Sequence, residues 1–498
     1  MSLVRKNTTA NFLGQVWTGV VGLIFVPVYI RCMGVEAYGI IGFFVVLQSL
    51  FAILDLGLSA TLNRELAVRS VNNSAAQSTR DLMRTLEWIF GCSAAFIVLG
   101  VWLLSYPLAA HWLNPGQLTT DQTAQALLLL GMAAAIQWPV SLYTGGLSGL
   151  QQQVQLNFLA ATFATIRAVG AALILLYVSP TIEAFLWWQI FVGLFHTAFF
   201  ARAVWGRLPV GDRRSSFSAH EIRGIRSFAG GIAGTAIVVF LLTQTDRIVL
   251  SRLLPLAEFG AYVLAASVAA MLLRFVHPIS NAVSPQFNRL VAAGDSEQLI
   301  RFYHHTNQIV ASVVLPIAAV LAVFSIDILR VWTSDPALSA AAGPALAILV
   351  VGTALNGLMT LPYAMQLAFA WTRLGFWMNV ASLIFVVPAV WFLGVKYGGI
   401  GAAMAWLLLN LAYVTIAIPL MHRRILQHEM RRWYLIDILP ALLASALVAV
   451  AWRLVVPVIP GGLSGVALLA LIATTTLAAA VATSAGPRRM VIGWMMHR

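Results

Sequence analysis

"LLTQTDRIVLSRLLPLAEFGAYV" (residues 241–263) holds the end of one apolar run, a break at Pro255 and the start of the next. Its first half carries Asp246 and Arg247 side by side. A charge inside a bilayer costs roughly 2.5 kcal/mol or more. Neighbouring residues on a helix point about 100° apart, so the two do not neutralise each other face to face. Each needs its own partner or a use. The second half opens with Glu258, Phe259 and Gly260. The same order, Glu36, Tyr38 and Gly39, opens a run much earlier, in "MGVEAYGIIG" (33–42).

The rest of the chain explains why such runs matter. It has 498 residues, 60% hydrophobic and only 9% charged, whereas soluble domains carry about 25% charge. This is the composition of an all-α polytopic membrane protein. A spanning helix needs about 20 apolar residues. Runs of that kind fall at 11–32, 38–58, 85–106, 125–145, 155–178, 182–203, 228–250, 257–279, 305–328, 344–368, 374–395, 400–420, 436–456 and 462–484, which predicts about 14 transmembrane helices. The first is too long for a signal-peptide core and lacks a small-x-small cleavage site, so it reads as a retained helix. Cys32 and Cys92 have no Cys-x-x-Cys spacing and read as small hydrophobes; neither a metal nor another cofactor is expected.

Charge placement tests the helix count. With the N-terminus in the cytoplasm, the outer segments carry only Arg31, Arg252, Arg330, Lys396 and Arg453 of the 30 Lys and Arg residues. Arg167, Arg247 and Arg274 lie within runs, and all others fall inside. One missed helix would invert every later loop, so the bias supports both count and orientation. Both termini are expected in the cytoplasm. The net charge of +13 is therefore topological, and no nucleic-acid partner is implied. The loop "RLPVGDRRSSFSAHEIRGIRSF" (207–228) reads as a solvated inner loop or as one lying on the anionic leaflet. No loop is long enough for a folded catalytic domain, which argues against a glycosyltransferase, polymerase or ligase.

The match between the two openings extends further. Asn63-Arg64 closes the earlier run and Asn288-Arg289 the later one. The spans Gly39 to Asn63 and Gly260 to Asn288 differ by about one helical turn. "LQQQVQLN" (150–157) and "AWTRLGFWMN" (370–379) are polar connections that each run into an asparagine. The matches lie six helices apart and in order. They predict two six-helix bundles of the same orientation, residues 1–210 and 211–425. Residues 426–498 add two helices and a cytoplasmic tail. Two like halves around a central cavity is a transporter plan.

The stretches 34–69 and 243–265, with Asp-Leu-Gly-Leu at 55–58, resemble the polysaccharide transporters of the multidrug/oligosaccharidyl-lipid/polysaccharide exporter superfamily. The resemblance implies a V-shaped cavity lined by the first, second, seventh and eighth spans. It implies a flippase in the bacterial inner membrane that moves undecaprenyl-pyrophosphate-linked O-antigen or exopolysaccharide units by alternating access. Its partners would be a lipid-linked anionic oligosaccharide, membrane lipids and a polysaccharide polymerase or chain-length machinery. A lipid II flippase and a multidrug/cation antiporter of the same superfamily are the alternatives. The embedded set leans basic, which favours an anionic substrate over a cation.

Several residues are expected at functional positions. Arg167 lies about 18 Å into the fifth span at 1.5 Å per residue, with no acid within a turn. It reads as a cavity cation for pyrophosphate or an acidic sugar, or as an arginine satisfied by carbonyls or a neighbouring acid. Asn11, Gln15, Thr18 and Gly22 share one helix face, suited to sugar hydroxyls or to close packing; Gln244 joins the cavity set. Two depth-matched pairs, Arg31 with Asp246 outside and Asp55 with Arg274 inside, form a gate hypothesis. His196 and His277 have two readings, proton coupling and a structural hydrogen bond. Gly230 and Gly234 have packing spacing, and Pro278 bends or ends the eighth span.

Overall fold

The computed structural model describes residues 3–55, 57–69 and 76–488, without the side chains of 3–6, 8, 51–53 and 223–236. Expectations resting on Arg5, Lys6, Arg223, Arg226, Gly230, Gly234, Arg489 and Arg498 lie outside it. In chain order the helices are α1 (Leu3–Ile24), α2 (Val26–Leu54), α3 (Leu58–Arg69), α4 (Ala76–His111), α5 (Thr120–Gln137), α6 (Val140–Gly149), α7 (Gln153–Tyr177), α8 (Ile182–Trp205), α9 (Ala219–Leu253), α10 (Leu256–Ala270), α11 (Leu273–Ala293), α12 (Ser296–Val323), α13 (Ser325–Thr333), α14 (Pro336–Ala368), α15 (Thr372–Ala412), α16 (Ile418–His422), α17 (Met430–Arg432), α18 (Leu439–Val455) and α19 (Gly462–Thr483). Wide π-helical turns at Tyr413–Ala417 and Trp433–Ile438 join the later ones. Among the described residues no strand forms; Asn114 and Pro255 make an isolated bridge.

Eleven helices among the described residues are long and apolar enough to cross a membrane. One of them, Thr372–His422, contains Gly398 at φ 59° and ψ −136°, a backbone setting that glycine reaches without strain. It separates the expected eleventh and twelfth spans. Gly34, at φ 84° and ψ 163°, does the same inside α2, between the first and second. With α1 and α9 in the first and seventh runs, the helices follow the fourteen expected from hydropathy.

Packing divides the chain into two compact units, Met1–Gly260 and Ala261–Arg498. Division at 210 and 425 describes sequence symmetry, a different property, and stays a proposal. In the first unit, leucines of α3, α4 and α6 pack with Phe90, Trp138 and Phe200. Phe90 stacks on Trp138 at 5.2 Å between ring centres. The loop 112–119 ties this unit together at one edge. Glu36 is buried and accepts from the backbone N–H of Gly116 at 2.7 Å and of Gln117 at 2.9 Å. Trp112 Nε1 donates to Ser251 Oγ at 3.0 Å, and Asn114 Nδ2 to the Arg252 carbonyl at 2.9 Å. The Leu256 N–H donates back to the Asn114 carbonyl at 3.0 Å. Beneath it, the two motif glycines press together: a Cβ at Gly39 would lie 2.5 Å from the Leu256 carbonyl oxygen, and one at Gly260 would overlap that of Val35.

At the basic loops of the first unit, Asp81 is buried. It accepts from Arg213 Nη2 at 2.7 Å and from the Ser216 N–H at 2.9 Å. The 207–218 segment is thus pinned to α4 by its own arginine. Arg69 pairs with Glu221 at 2.7 Å, fastening α3 to the start of α9.

In the second unit, α18 and α19 are fixed to α12 by polar clusters near both ends. His304 Nε2 meets Glu429 at 2.8 Å and its Nδ1 meets Asp437 at 2.5 Å. Gln308 Nε2 donates to Asp437 at 2.9 Å, and its Oε1 accepts from the Gly486 N–H at 2.8 Å. Asp327, just past the far end of α12, takes Arg330 Nη2 at 2.9 Å and Arg453 Nη1 at 2.6 Å. A buried charge is tolerable only when paired and hydrogen-bonded, and these are.

Candidate functional site

A cavity of about 280 Å³ lies within the first unit. Thr18 and Gly22 of α1, Tyr29, Phe44 and Gln48 of α2, Arg167 of α7 and Gln189 of α8 line it, with apolar side chains of α2, α5 and α8 between them. Its walls are mostly apolar, so its few polar groups set what it accepts.

Arg167 is the charged group. Its Nη2 lies 3.2 Å from His196 Nδ1. Guanidinium has no acceptor, so the imidazole nitrogen accepts, and the ring is neutral with its proton on Nε2. Phe163 stacks on His196 at 4.8 Å, and Phe200 meets it edge-on at 4.7 Å. The Trp188 indole N–H donates to the Arg167 carbonyl at 3.1 Å, and the Tyr29 hydroxyl to that of Ala168 at 3.0 Å. These two bonds brace the turn that carries the arginine. Arg167 Nε and His196 Nε2 are both buried without a hydrogen-bond partner, and no carboxylate pairs with Arg167 among the described residues. Of the two, only Arg167 lines the cavity, and a cation there without a carboxylate calls for an acceptor, best an anionic oxygen.

The other expected residues divide. Thr18 lines the cavity, with its hydroxyl turned to the Gly14 carbonyl at 2.9 Å. Asn11 Oδ1 accepts from Asn157 Nδ2 at 2.6 Å, a bond between α1 and α7 away from the lining. Gln15 is half-buried and outside the lining. Gln244 is buried, and its Oε1 accepts from Arg247 Nη1 at 3.1 Å. Arg247 thus finds a partner one turn back on its own helix, and its Nε stays unpartnered. Arg31 is exposed, and among the described residues no ion pair joins it to Asp246. Asp55 Oδ1 accepts from the Ser59 N–H at 2.9 Å, holding the first turn of α3. Asp55 and Arg274 belong to different units, and Arg274 is exposed. His277 is exposed as well.

Tyr29, Gln48 and Gln189 are cavity residues that sequence reading misses. A lone glutamine in an apolar run, as in "LWWQIFV" (186–192), obeys the rule that singles out Arg167. It needs a partner in lipid, and that signal would have found Gln48 and Gln189. Tyrosine gives no such signal.

The comparisons with known proteins agree with this architecture. A family model described as "Polysaccharide biosynthesis protein" matches residues 4–291, and a second, MatE, matches 232–392. A Shigella flexneri protein that carries the name O-antigen transporter is 20% identical over 406 residues, covering 82% of this chain and 94% of its own. The lipid II flippase MurJ, in an inward closed conformation, has a TM-score of 0.68 at 13% identity, covering 96% of this chain and 98% of its own. A mutant of the Vibrio cholerae MATE transporter VcmN has a TM-score of 0.59 at 16% identity, covering 86% and 99%.

The helical plan and these matches define a multi-pass membrane transporter of the multidrug/oligosaccharidyl-lipid/polysaccharide exporter superfamily. Within it, the chain belongs to the polysaccharide biosynthesis protein family, whose model covers more than half of its length.

Proposed function

We propose that this transporter flips a lipid-linked anionic oligosaccharide, an undecaprenyl-pyrophosphate-bound O-antigen or exopolysaccharide unit, across a bacterial inner membrane by alternating access. The observation that carries the reading is Arg167, a cation with no carboxylate partner among the described residues, on the lining of a mostly apolar cavity. Such a site suits a diphosphate and repels a cation. At about 280 Å³ the cavity lies just below the roughly 300 Å³ of the smallest typical ligand pockets. It suits the diphosphate and an adjoining sugar, with the remaining glycan and the lipid outside. Family membership and the name of the Shigella relative support a polysaccharide unit. The likeness to a lipid II flippase concerns the fold alone. The basic loops orient both termini to the cytoplasm, and a polymerase or chain-length machinery would take the product.

The gate pairs extend this reading. Arg31 with Asp246, and Asp55 with Arg274, would each form in one state only. If single charge reversals at Asp55 and Arg274 abolish transport and the double reversal stays dead, that pairing is not the explanation. The test of the main reading is complementation of a flippase-null strain. Arg167→Ala should fail to restore surface polysaccharide while reaching the membrane at parental level. Normal polysaccharide from that variant would remove Arg167 from the mechanism.

A further inference from the structure

A second and larger pocket, of about 790 Å³, lies in the second unit around the loop that leads from α16 to α17. Arg423, Arg431, His422, Gln427 and His428 line it. No acid lines it, and among the described residues neither Arg423 nor Arg431 takes part in an ion pair. The neighbouring Arg424 and Arg432 are engaged elsewhere, over the Trp371 ring at 4.7 Å and with Glu429 at 3.7 Å. The loop is held in shape. Glu429 is bonded to His304, Leu426 and His428 adopt φ of 53° and 71°, and the Trp433 indole N–H donates to Asn307 Oδ1 at 3.0 Å.

His422 supplies an independent sign of a ligand. It is only 4% exposed. Its Nδ1 lies 3.0 Å from the Ile418 carbonyl, an oxygen that can only accept, so Nδ1 carries the proton. Its Nε2 is buried with no partner. That nitrogen lacks a donor, such as a hydroxyl, and two free guanidinium groups beside it lack an anion. On the segments that lead into and out of the loop, Leu420, Leu435 and Ile436 are exposed. The Tyr434 hydroxyl donates to the Val414 carbonyl at 2.5 Å, tying the turn of Leu435 and Ile436 to the one just before α16. A basic pocket flanked in the chain by exposed leucine and isoleucine side chains fits a molecule with a phosphoryl head and acyl chains better than a free phosphate.

We propose that this pocket binds the headgroup of an anionic glycerophospholipid, with the phosphate on Arg423 and Arg431, a headgroup hydroxyl on His422 and the acyl chains against Leu420, Leu435 and Ile436. The full chain in detergent, titrated with dioleoyl phosphatidylglycerol and followed by native mass spectrometry, tests this. One adduct should form in preference to phosphatidylcholine. At about 1 kcal/mol per basic residue near the surface, Arg423→Ala with Arg431→Ala should weaken it about 30-fold. The paired lysine substitutions should keep most of the binding, which separates loss of charge from misfolding. Arg424→Ala, outside the lining, should leave it unchanged. Equal binding by the double alanine variant, or equal loss in Arg424→Ala, would overturn the proposal. Displacement of the lipid by millimolar inorganic phosphate would assign the pocket to free phosphate and overturn the lipid reading.

Discussion

Replacing Arg167 by methionine should weaken binding while leaving stability equal or slightly raised. Methionine keeps a long unbranched side chain and removes the cation with its unpartnered Nε–H. A buried cation without a counter-charge costs several kcal/mol. Against that relief stand the lost bond to His196, about 1 kcal/mol, and the orphaned His196 Nδ1, about 1–3 kcal/mol. The net is a gain of about 2 kcal/mol or a balance near zero. At roughly 2.1 cal/mol/K per residue, a gain of that size raises the melting midpoint of a chain this long by about 2 °C. Binding should fall instead. Charge-assisted hydrogen bonds contribute about 1.5–3 kcal/mol each, so losing two to a diphosphate weakens binding more than 100-fold. The assay is a titration with undecaprenyl pyrophosphate in nanodiscs, and a melt of the same sample. A variant that binds the lipid like the parent, or that melts several degrees lower, would show that Arg167 serves the fold rather than the substrate.

Three further outcomes are expected. Asp437→Asn leaves His304 and Glu429 with an incomplete network, and breaking a buried pair costs about 3–5 kcal/mol; limited proteolysis should then cut between α16 and α18 far sooner than in the parent. Glu36→Gln keeps the shape but removes the charge that holds the N–H groups of 116 and 117. Hydrogen exchange of those two amides should accelerate by about tenfold or more, since a charged partner contributes about 1.5–3 kcal/mol, and an unchanged rate would show that the carboxylate is not what holds them. Gly260→Val places carbon where the Val35 carbonyl stands, so the protein should accumulate poorly, while Gly22→Ala, with open space around it, should accumulate normally.

Much of the fold was legible because a bilayer leaves few choices. Lipid offers the backbone no partner, so every long apolar run must be a helix, and the glycines at 34 and 398 sit where runs meet. Arg167 was legible for a related reason: an unpaired charge in lipid is too costly to be incidental. The unit boundary was not, because repeat symmetry and packing are separate properties; α9, which the expected repeat would pair with the first span, packs with the first unit. Asn11 and Gln15 sit on the same face as Thr18, but helix periodicity says which residues share a face and not which neighbour covers it. Asn157 covers Asn11. Glu36 was seen as one letter of a motif. Its partners are backbone amides of residues 116–118, which no side-chain pattern can announce. The clusters around Asp437 and Asp327 likewise join residues more than a hundred positions apart.

The loop at 112–119 bears on leakage. Glu36, Trp112 and Asn114 make their bonds on one short segment, and Gly39 and Gly260 touch beneath it, so the turns at 34–39 and 255–260 cannot part by degrees. Loosening one bond strains the others, and the set gives way together. Under the alternating access proposed above, such a clasp would have a threshold, shut until enough free energy arrives at once and then open. Half-open states, through which ions would slip, would then be passed quickly and seldom occupied. A membrane that stores its energy as an ion gradient tolerates a large moving gate only if that gate has no resting place in between.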